Sequence, residues 1–342
     1  MSIIVVAGGQ FGSEAKGHVA SILERRYQPA VSVRVGGPNA GHTVIDHEGD
    51  RYPLRHLPVA AIANPTSILY LAPGSEIDPA VLAEELDWIP SARERVVVSP
   101  QATVISEIHR RLEGGNDGPL QRRIGSTGKG VGAARSDRIL RVPGILVQDC
   151  EELFTEDLGV RVQTLPAAGG DVLIEGTQGY GLGLHAGFYP YCTSGDCRPV
   201  DFVAQSGIPP SGFIESWLVF RTYPIRVAGN SGPLANEVSW EWMARQTGGY
   251  AQPEHTTVTK KIRRIGLWDP KLARDAVLAA GPGVRLALTF VDYLDPRLGG
   301  SNDWAALLAS SKAWPWIGEV EAELGKQFGL FTTGPHSHIW RP

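Results

Sequence analysis

The chain has 342 residues, of which 42% are hydrophobic and 20% are charged, so it is long enough to bury a large core. Its net charge of −4 argues against a polymeric nucleic acid as partner, because such partners normally require a basic surface. The three cysteines form no CxxC pair, which argues against a zinc site and a disulfide framework. No apolar run is long enough to span a membrane and no secretory signal pattern is present, so we expect a cytoplasmic protein without a membrane partner.

Continuous apolar runs rich in β-branched residues predict buried strands. In chain order these runs are SIIVVA (2–7), SVRV (32–35), SILYLA (67–72), RVVVS (95–99), DVLIE (171–175), SWLVFRTY (216–223) and RLALTFVD (285–292). Helical patterns lie between several of them, at 14–26, 103–113 and 271–280, and the second places Val104, Ile108 and Leu112 on one apolar face. This alternation predicts an α/β fold, doubly wound around a mainly parallel central sheet. Ligands of such folds bind beyond the carboxyl ends of the strands, so we expect the loops there to carry the function.

The first glycine-rich loop, GGQFGSEAKG (8–17), follows the first predicted strand and leads into a helix. Its glycine N–H groups, the helix N-terminus and Lys16 are suited to phosphate oxygens. The spacing departs from the standard phosphate-binding loop, because Lys16 follows Ala15 and precedes Gly17, and an ordinary tight turn is the alternative. Ser13 lies in the turn where a charged catalytic group would be expected.

Three further glycine-rich loops carry polar side chains suited to nucleotide chemistry. VGGPNAGHTV (35–44) contains His42, whose ring is suited to proton transfer near neutral pH. The segment 122–141 holds six basic residues around glycines and hydroxyls, which suits phosphates, although charge runs are usually solvated. The segment 174–196 follows a strand and offers Gln178 and Thr193 for recognition of a polar heterocycle. Towards the end of the chain, the cationic segment 256–266 is suited to a dicarboxylate, and Asp292 closes a strand where it can accept hydrogen bonds from a base.

Taken together, these loops resemble those of adenylosuccinate synthetases. The matching segments, in the order of that family, are GSEAKGH (12–18), PNAGHT (38–43), GSTGKGVGA (125–133), EGTQG (175–179) with YPYCTSG (189–195), VTKKIRRIG (258–266), LTFVD (288–292) and TTGP (332–335). The resemblance runs from residue 2 to about residue 335. It implies one catalytic domain over residues 1–342, with a P-loop-NTPase-like sheet and additional loop and helix insertions.

The resemblance also implies a ligase reaction in two steps. A 6-oxopurine nucleotide loses its N1 proton and its O6 attacks the γ-phosphate of a nucleoside triphosphate, giving a 6-phosphoryl intermediate, and the amine of L-aspartate then displaces phosphate. Catalysis of this kind rests on positioning and charge neutralisation. The family implies Mg²⁺ as cofactor, small-molecule substrates and a homodimer in which Arg141 reaches the site of the second subunit.

The resemblance assigns a role to individual residues. The catalytic group comprises Ser13, Lys16, His42 and Gln178, with Ser13 and the Gly41 carbonyl as Mg²⁺ ligands. The donor nucleotide is expected at Gly12, Glu14, Lys16, Gly17, Gly41, His42, Thr43, Asp292, Thr333, Gly334 and Pro335. The substrate nucleotide is expected at Ser13, Asn39, Ala40, Thr127, Arg141, Gln178, Thr193 and Val227. Aspartate is expected at Thr259, Lys261 and Arg263, where Lys261 replaces an arginine of the family and is not equivalent to it.

Ser13 is the most informative departure, because it replaces the family's general-base aspartate and a hydroxyl cannot act as that base at neutral pH. Serine is small and uncharged and leaves room beside N1 for the C2 amino group of guanine. This feature and the short chain resemble the phage branch of the family, which adds aspartate to dGMP on the route to 2-aminoadenine DNA. The leading prediction is therefore a dGMP enzyme, in the host cytoplasm if the chain is phage-encoded. Water, a donor phosphate and a Ser13 relay are the alternatives for the acceptor of the N1 proton.

The donor and two other functions stay open at this point. Asp292 favours a guanine donor, whereas the phage branch implies ATP or dATP and Phe290 replaces a lysine near the base, so we expect ATP rather than GTP. The first alternative function is an adenylosuccinate synthetase that acts on IMP with GTP and has a relocated base. The second is a non-catalytic nucleotide-binding module. An unrelated loop-type NTPase is disfavoured, because the glycine loops miss that pattern.

Overall fold

The computed structural model describes residues 2–115, 118–165, 170–210, 212–255 and 261–342. Its strands are β1 (Ile3–Gly8), β2 (Val31–Arg34), β3 (His42–Ile45), β4 (Arg51–Leu54), β5 (Ile68–Leu71), β6 (Glu76–Ile77), β7 (Val96–Val98), β8 (Thr103–Val104), β9 (Arg161–Val162), β10 (Val172–Glu175), β11 (Ile214–Arg221), β12 (Ile225–Arg226), β13 (Glu237–Val238), β14 (Arg264–Gly266), β15 (Arg285–Thr289), β16 (Phe328–Gly334) and β17 (Ser337–Trp340). Its α-helices are α1 (Lys16–Tyr27), α2 (Ala60–Ala63), α3 (Pro79–Trp88), α4 (Glu107–Glu113), α5 (Pro119–Ile124), α6 (Val131–Leu140), α7 (Pro199–Ser206), α8 (Trp240–Gln246), α9 (Pro270–Ala280), α10 (Trp304–Ala309) and α11 (Ala313–Leu324).

The main sheet of the described chain has ten strands in the order β17-β16-β15-β11-β1-β10-β2-β5-β7-β9. Every neighbouring pair is parallel except β16 and β17 at one edge. All seven predicted strands lie in this sheet, with their ends shifted by a few residues. The largest shift is at β15, which ends at Thr289 because Phe290 adopts a positive φ of 59° that a strand cannot accommodate.

Both faces of the sheet are buried, as continuous apolar strands require. Ile4 and Val6 of β1 belong to one core cluster, which also contains Val19 of α1. Ile3 and Val5 point to the other face, where a second cluster contains residues of α7 and α9. The predicted α/β fold with helices on both sides of a mainly parallel sheet is thus confirmed.

The helix predicted at 103–113 differs from the structure. Thr103 and Val104 form the short strand β8, and α4 begins only at Glu107, after Ser106 accepts a hydrogen bond from the His109 N–H. Ile108 and Leu112 are 66% and 67% exposed, so the apolar face does not pack into a core of this chain. The prediction of a helix from residue 103 was therefore wrong over its first residues, because helical periodicity does not show where a helix begins.

The sheet order positions the loops that sequence analysis singled out. β1 lies between β10 and β11, so the loops that follow these three strands leave the sheet side by side. β2 neighbours β10 in the sheet, so the loop after β2 lies next to the loop after β10. On the other side, β15 neighbours β11, so the loop after β15 lies next to the loop after β11. No helix of the described chain is both long and apolar enough to cross a membrane.

Helix α1 carries a buried acid that has no cationic partner among its described hydrogen bonds. Glu24 is fully buried, and its carboxyl group accepts hydrogen bonds from Ser32 Oγ at 2.5 Å and from Asn64 Nδ2 at 3.2 Å. Burial raises the pKa of Glu24 to about 8, because the charged form loses its hydration. Ser32 is on β2, so this contact fixes α1 against the sheet.

We expect Glu24→Gln to remove part of the pH dependence of stability. The folded-state pKa lies above the unfolded value, so the contribution of Glu24 to stability is complete below about pH 4.5 and is lost as the pH rises through 8. Urea unfolding at pH 5.5 and pH 8 should show the free energy of unfolding of the variant rising relative to wild type, by roughly 3 kcal/mol between these pH values. The exposed Glu319→Gln is the control and should show no such change. A constant difference between Glu24→Gln and wild type at both pH values would contradict the assignment.

Candidate active site

The loops at the carboxyl ends of the strands surround one large cleft with a volume of about 1620 Å³. Most of the residues predicted from the sequence line it, namely Gly12, Ser13, Lys16, Gly17, Asn39, Ala40, Gly41, His42, Thr43, Thr127, Gln178, Thr193, Val227, Lys261, Arg263, Asp292, Gly334 and Pro335. Glu14, Arg141 and Thr333 do not line the cleft. Thr259 lies outside the described residues.

The first loop is organised by Glu14, which is fully buried beneath it. Its Oε1 accepts hydrogen bonds from the N–H groups of Gln10 at 3.1 Å and Gly12 at 2.8 Å, and its Oε2 pairs with Lys16 Nζ at 2.7 Å. The carboxylate therefore shapes the loop and fixes Lys16 from inside the protein. We had expected Glu14 at the donor nucleotide, and the structure places its side chain behind the loop instead.

Ser13 and Ala15 flank Glu14 and both adopt positive φ values, 59° and 57°. Non-glycine residues are strained in this region, and such strain is often found at functional sites. The Ser13 carbonyl accepts a hydrogen bond from Arg221 Nη1 at 3.1 Å, which holds the loop in this conformation. The Ser13 side chain is half-buried and lines the cleft.

Close backbone packing joins the first loop to its neighbours at two glycines. A Cβ atom at Gly179 would lie 2.7 Å from the Gln10 carbonyl oxygen and 2.8 Å from the Gly12 nitrogen, so the loop that carries Gln178 rests directly on the first loop. A Cβ at Gly17 would lie 2.6 Å from the His42 Cβ, so His42 packs on the start of α1. These contacts bring Ser13, Lys16, His42 and Gln178 to one region of the cleft.

His42 begins β3 and is held from behind by a buried ion pair. Its Nδ1 lies 2.8 Å from Glu175 Oε2 and also contacts the Arg34 guanidinium, while Arg34 pairs with Glu175 at 3.1 Å. Glu175 additionally accepts a hydrogen bond from the Val59 N–H at 2.6 Å. Burial, and then the charges of Arg34 and Lys16, hold the pKa of His42 well below its usual value. Burial raises the pKa of Glu175 to about 7.

The contacts of His42 leave its second ring nitrogen, Nε2, able to bond to a ligand in the cleft. His42 is buried at the wall of the cleft, and its Nε2 has no hydrogen-bond partner within the described chain. When Nδ1 accepts a hydrogen bond from Arg34 or from protonated Glu175, the neutral ring carries its proton on Nε2. A neutral His42 can then donate a hydrogen bond to a phosphate oxygen without first becoming charged.

The basic segment 122–141 contributes less charge to the cleft than its sequence indicates. Of its six basic residues, Arg123 is the one that lines the cleft. Arg135 is paired with Glu76 at 2.5 Å instead. The N-terminus of α6 is capped by Glu113, which accepts from the N–H groups of Gly130 at 2.8 Å and Gly132 at 2.6 Å. Thr127, which belongs to the same segment, also lines the cleft.

Arg141 lies just after the last residue of α6 and outside the cleft of its own chain. It is exposed, with a positive φ of 61°, and its Nη1 is 3.4 Å from the Ile139 carbonyl oxygen. The cleft of one protomer therefore does not include this side chain.

The described part of the segment that we expect to bind aspartate is anchored by an acid that sequence analysis did not single out. Glu254 pairs with Arg263 at 3.2 Å and with the fully buried Arg221 at 2.5 Å. The guanidinium of Arg221 also stacks on the Phe290 ring at 3.9 Å. The sequence does contain signals for both residues. Arg221 is a charged residue at the end of an apolar strand, and Glu254 is an isolated acid before a basic segment. Glu175, which ends β10, carries the same signal.

The far end of the cleft contains Asp292, Gly334 and Pro335. Burial raises the pKa of Asp292, which is 5% exposed. Thr333 is fully buried, and its hydroxyl contacts the Ser301 carbonyl at 2.6 Å and Ser337 Oγ at 2.9 Å. Its side chain is thus directed into the protein, while the neighbouring Gly334 reaches the cleft.

Comparison with known proteins finds relatives that match nearly the whole chain. The family model for adenylosuccinate synthetase matches residues 5–165 and 151–297. The adenylosuccinate synthetase of Methanococcus vannielii is 36% identical over 340 residues, which cover 98% of this chain and 97% of that protein. The chain belongs to the adenylosuccinate synthetase family. It is therefore a ligase that forms a C–N bond, and its family acts on a purine nucleotide and aspartate with a nucleoside triphosphate and Mg²⁺.

Two solved structures share the fold. The succinoaminodeoxyadenylate synthetase (PurZ) of cyanophage S-2L, bound to dGMP and to dATP as an energy donor, matches with a TM-score of 0.80 and 29% identity over 98% of this chain and 93% of that one. The fully ligated adenylosuccinate synthetase of Plasmodium falciparum matches with a TM-score of 0.82 at 19% identity, which supports the fold alone. Chain length does not separate the branches of the family, because the Pyrococcus horikoshii enzyme is also matched over 99% of this chain and 98% of its own length.

We expect Glu175→Gln to reduce kcat by about 10- to 100-fold while changing the KM of the nucleotides little, because the side chain holds His42 without lining the cleft. The pH dependence of kcat near neutrality should also flatten, since the Gln side chain does not titrate. Steady-state kinetics from pH 6 to 9 would measure both effects.

His42→Ala and the double variant provide the control for this prediction. If Glu175 acts through His42, the double variant should be no slower than His42→Ala alone. A double variant whose loss equals the product of the two single losses would contradict a positioning role for Glu175.

Proposed function

We propose that this enzyme joins L-aspartate to C6 of dGMP with ATP as donor. The products are N6-succino-2-amino-2′-deoxyadenylate, ADP and phosphate, and the first of these is a precursor of 2-aminoadenine DNA. The observation that carries the proposal is Ser13, a small uncharged side chain at the cleft end of the first loop. The similarity to an enzyme whose structure contains dGMP and dATP supports it.

Ser13 favours guanine over hypoxanthine for a steric reason. The C2 amino group of guanine is next to N1, so a purine whose N1 and O6 approach Ser13 and Gln178 also brings that amino group towards the first loop. A serine hydroxyl occupies less space than a carboxylate and can accept a hydrogen bond from the amine. Guanine and hypoxanthine both carry a proton on N1, so with either substrate the base must have moved from position 13 to another group.

No carboxylate in the described part of the cleft fits such a relocated base. The acids that line it are Asp46, Glu113, Glu254 and Asp292. Asp46 accepts from backbone N–H groups of its own turn, Glu113 caps α6 and Glu254 pairs with two arginines. Asp292 lies after β15, on the side of the cleft that the family uses for the donor base. We therefore assign the N1 proton to water, to a donor phosphate oxygen or to a relay through Ser13.

The chemistry follows from the positions of five side chains. O6 attacks the γ-phosphorus and ADP leaves, with Lys16 and the Nε2–H of His42 stabilising charge on the transferred group. The Gln178 amide donates to O6 as negative charge develops there. The amine of aspartate then adds to C6 and phosphate leaves with O6, while Lys261 and Arg263 bind the carboxylates of aspartate.

Mg²⁺ would neutralise charge on the donor phosphates. In this chain the ion would be held by two neutral oxygens, the Ser13 hydroxyl and the Gly41 carbonyl. Glu14 in the same loop is not available as a ligand, because its carboxylate is already bound to Lys16 and to two N–H groups. Mg²⁺ commonly keeps several waters and binds substrate phosphates, so a site with few protein ligands suits it.

We further propose a homodimer in which Arg141 completes the partner's substrate site. Five large apolar side chains are exposed on α4 and at the end of α6, namely Ile108, Leu112, Ile139, Leu140 and Val142. The two groups flank the His109–Asp137 contact of 3.1 Å that joins these helices. A surface of this kind indicates burial against another chain, and Arg141 lies within it.

Adenylosuccinate synthesis from IMP and GTP is the second candidate, favoured by the archaeal relatives that carry that name.

Product analysis with dGMP, GMP and IMP in parallel tests the proposal. Each is incubated with L-aspartate, Mg²⁺ and ATP or GTP, and chromatography measures the succinylated product. We expect product from dGMP and at least about tenfold less from IMP, because a difference of 1.4 kcal/mol in transition-state binding is a factor of ten. In the same panel Ser13→Asp should lose most turnover of dGMP.

Three outcomes of this panel would contradict parts of the proposal. Product from IMP alone would assign the enzyme to adenylosuccinate synthesis. Unchanged dGMP turnover in Ser13→Asp would remove the role given to Ser13. The absence of product from every pair would contradict the choice of these nucleotides as substrates.

Subunit mixing tests the dimer. Arg141→Ala and His42→Ala should each be nearly inactive, since each removes one part of every site. In a mixed dimer one site has both His42 and the Arg141 of the second subunit, so refolding the two variants together should restore about a quarter of the wild-type activity.

The control mixture combines His42→Ala with Lys16→Ala. Both residues belong to the cleft of a single protomer, so every mixed dimer lacks one of them at each site and no activity should return. Equal recovery in the two mixtures, or none in the first, would contradict the contribution of Arg141 in trans.

A further inference from the structure

The donor end of the cleft contains a carboxylate with one occupied and one open oxygen. Asp292 Oδ2 accepts a hydrogen bond from the Tyr250 hydroxyl at 2.9 Å. Asp292 Oδ1 is buried and has no partner within the described chain. Both residues line the cleft. A buried carboxylate oxygen without a donor is costly unless a ligand supplies one, which makes Oδ1 a recognition point.

Tyr250 reaches Asp292 from a different part of the chain. It follows Gly248 and Gly249, whose positive φ values of 60° and 85° reverse the backbone after α8. Its ring packs edge-on against Tyr293 at a centroid distance of 6.3 Å. Its hydroxyl lies near Gly299, where an added Cβ would approach it to 2.7 Å. The hydroxyl is therefore held beside Asp292 by several elements, and the contact does not depend on Asp292 alone.

The two purines differ in what they offer to a carboxylate. Guanine presents N1–H and the C2 amino group side by side, and two parallel hydrogen bonds to the two oxygens of a carboxylate satisfy both. Adenine presents a single amino donor at C6 next to an acceptor nitrogen. Because Tyr250 donates to Oδ2, the carboxylate contacts a base mainly through Oδ1. This single oxygen pairs with the one amino group of adenine, whereas the second donor of guanine is left poorly paired.

We propose that Tyr250 determines the base specificity of the donor site, and that by occupying one oxygen of Asp292 it makes this enzyme use adenine nucleotides. The inference rests on the proposed function only in placing a nucleoside triphosphate base at Asp292. It does not depend on which purine nucleotide receives the aspartate.

Binding of donor analogues in the absence of dGMP and aspartate tests this proposal separately from the reaction. Isothermal titration with Mg²⁺ and the non-hydrolysable imido analogues of ATP and GTP gives two dissociation constants for each variant. Wild type should prefer the adenine analogue. Tyr250→Phe keeps the ring, which is 43% exposed, and frees Oδ2, so the ratio of the two constants should shift by about tenfold towards guanine.

Two further variants separate this change in base preference from a general disturbance of the donor end of the cleft. Tyr293→Phe removes a neighbouring hydroxyl that lies 3.3 Å from Glu254, and it should leave the ratio unchanged. In an Asp292→Asn background, Tyr250→Phe should no longer shift the ratio, because the second carboxylate oxygen it would free is absent. A ratio in Tyr250→Phe that stays within twofold of wild type or moves towards adenine, or a shift that persists with Asn at position 292, would overturn the proposal.

Discussion

The active-site loops depend on the buried carboxylate of Glu14. A carboxylate without water needs several donors, and Glu14 finds them in two backbone N–H groups and in Lys16. Its own backbone carbonyl accepts from Thr289 Oγ1 at 3.0 Å, which ties the first loop to the end of β15. Because Asp292 follows β15 closely, Glu14 helps to position both Lys16, which we expect to bind phosphate, and Asp292, which we expect to recognise the donor base.

A second set of contacts extends from the same loop towards the aspartate segment. The Gln10 side chain donates to the Arg221 carbonyl and accepts from the Arg221 N–H, each at 3.0 Å. Arg221 bonds to the Ser13 carbonyl and pairs with Glu254, and Glu254 pairs with Arg263. Ser13 and Arg263, which belong to different loops and are expected to contact different substrates, are therefore held in fixed relation.

The sequence predicts the sheet and most of the cleft for physical reasons that are local. A strand buried on both faces must be continuously apolar, so the β1 and β10 segments are visible in the sequence, and parallel strands then gather their loops at one edge. The partners of polar groups are not local. Glu175 and His42 are 133 residues apart, and Tyr250 and Asp292 are 42 apart, so neither contact follows from spacing. The exposed apolar face of α4 has the same periodicity as a helix face that packs on a core of its own chain, so the sequence alone does not distinguish the two.

The acids of the cleft also explain how one site can hold several anions. Two nucleotides and an aspartate bring many negative charges, and any unpaired carboxylate among them would oppose binding. Glu113 and Glu254 are each neutralised by N–H groups or arginines, and half of Asp292 is bound to Tyr250. Ser13 removes one more negative charge at the point where the two nucleotides are expected to meet. The two residues to which we assign substrate choice, Ser13 and Tyr250, therefore act in the same direction. Each reduces the carboxylate character that a purine encounters and changes which hydrogen-bond donors of that purine are accepted.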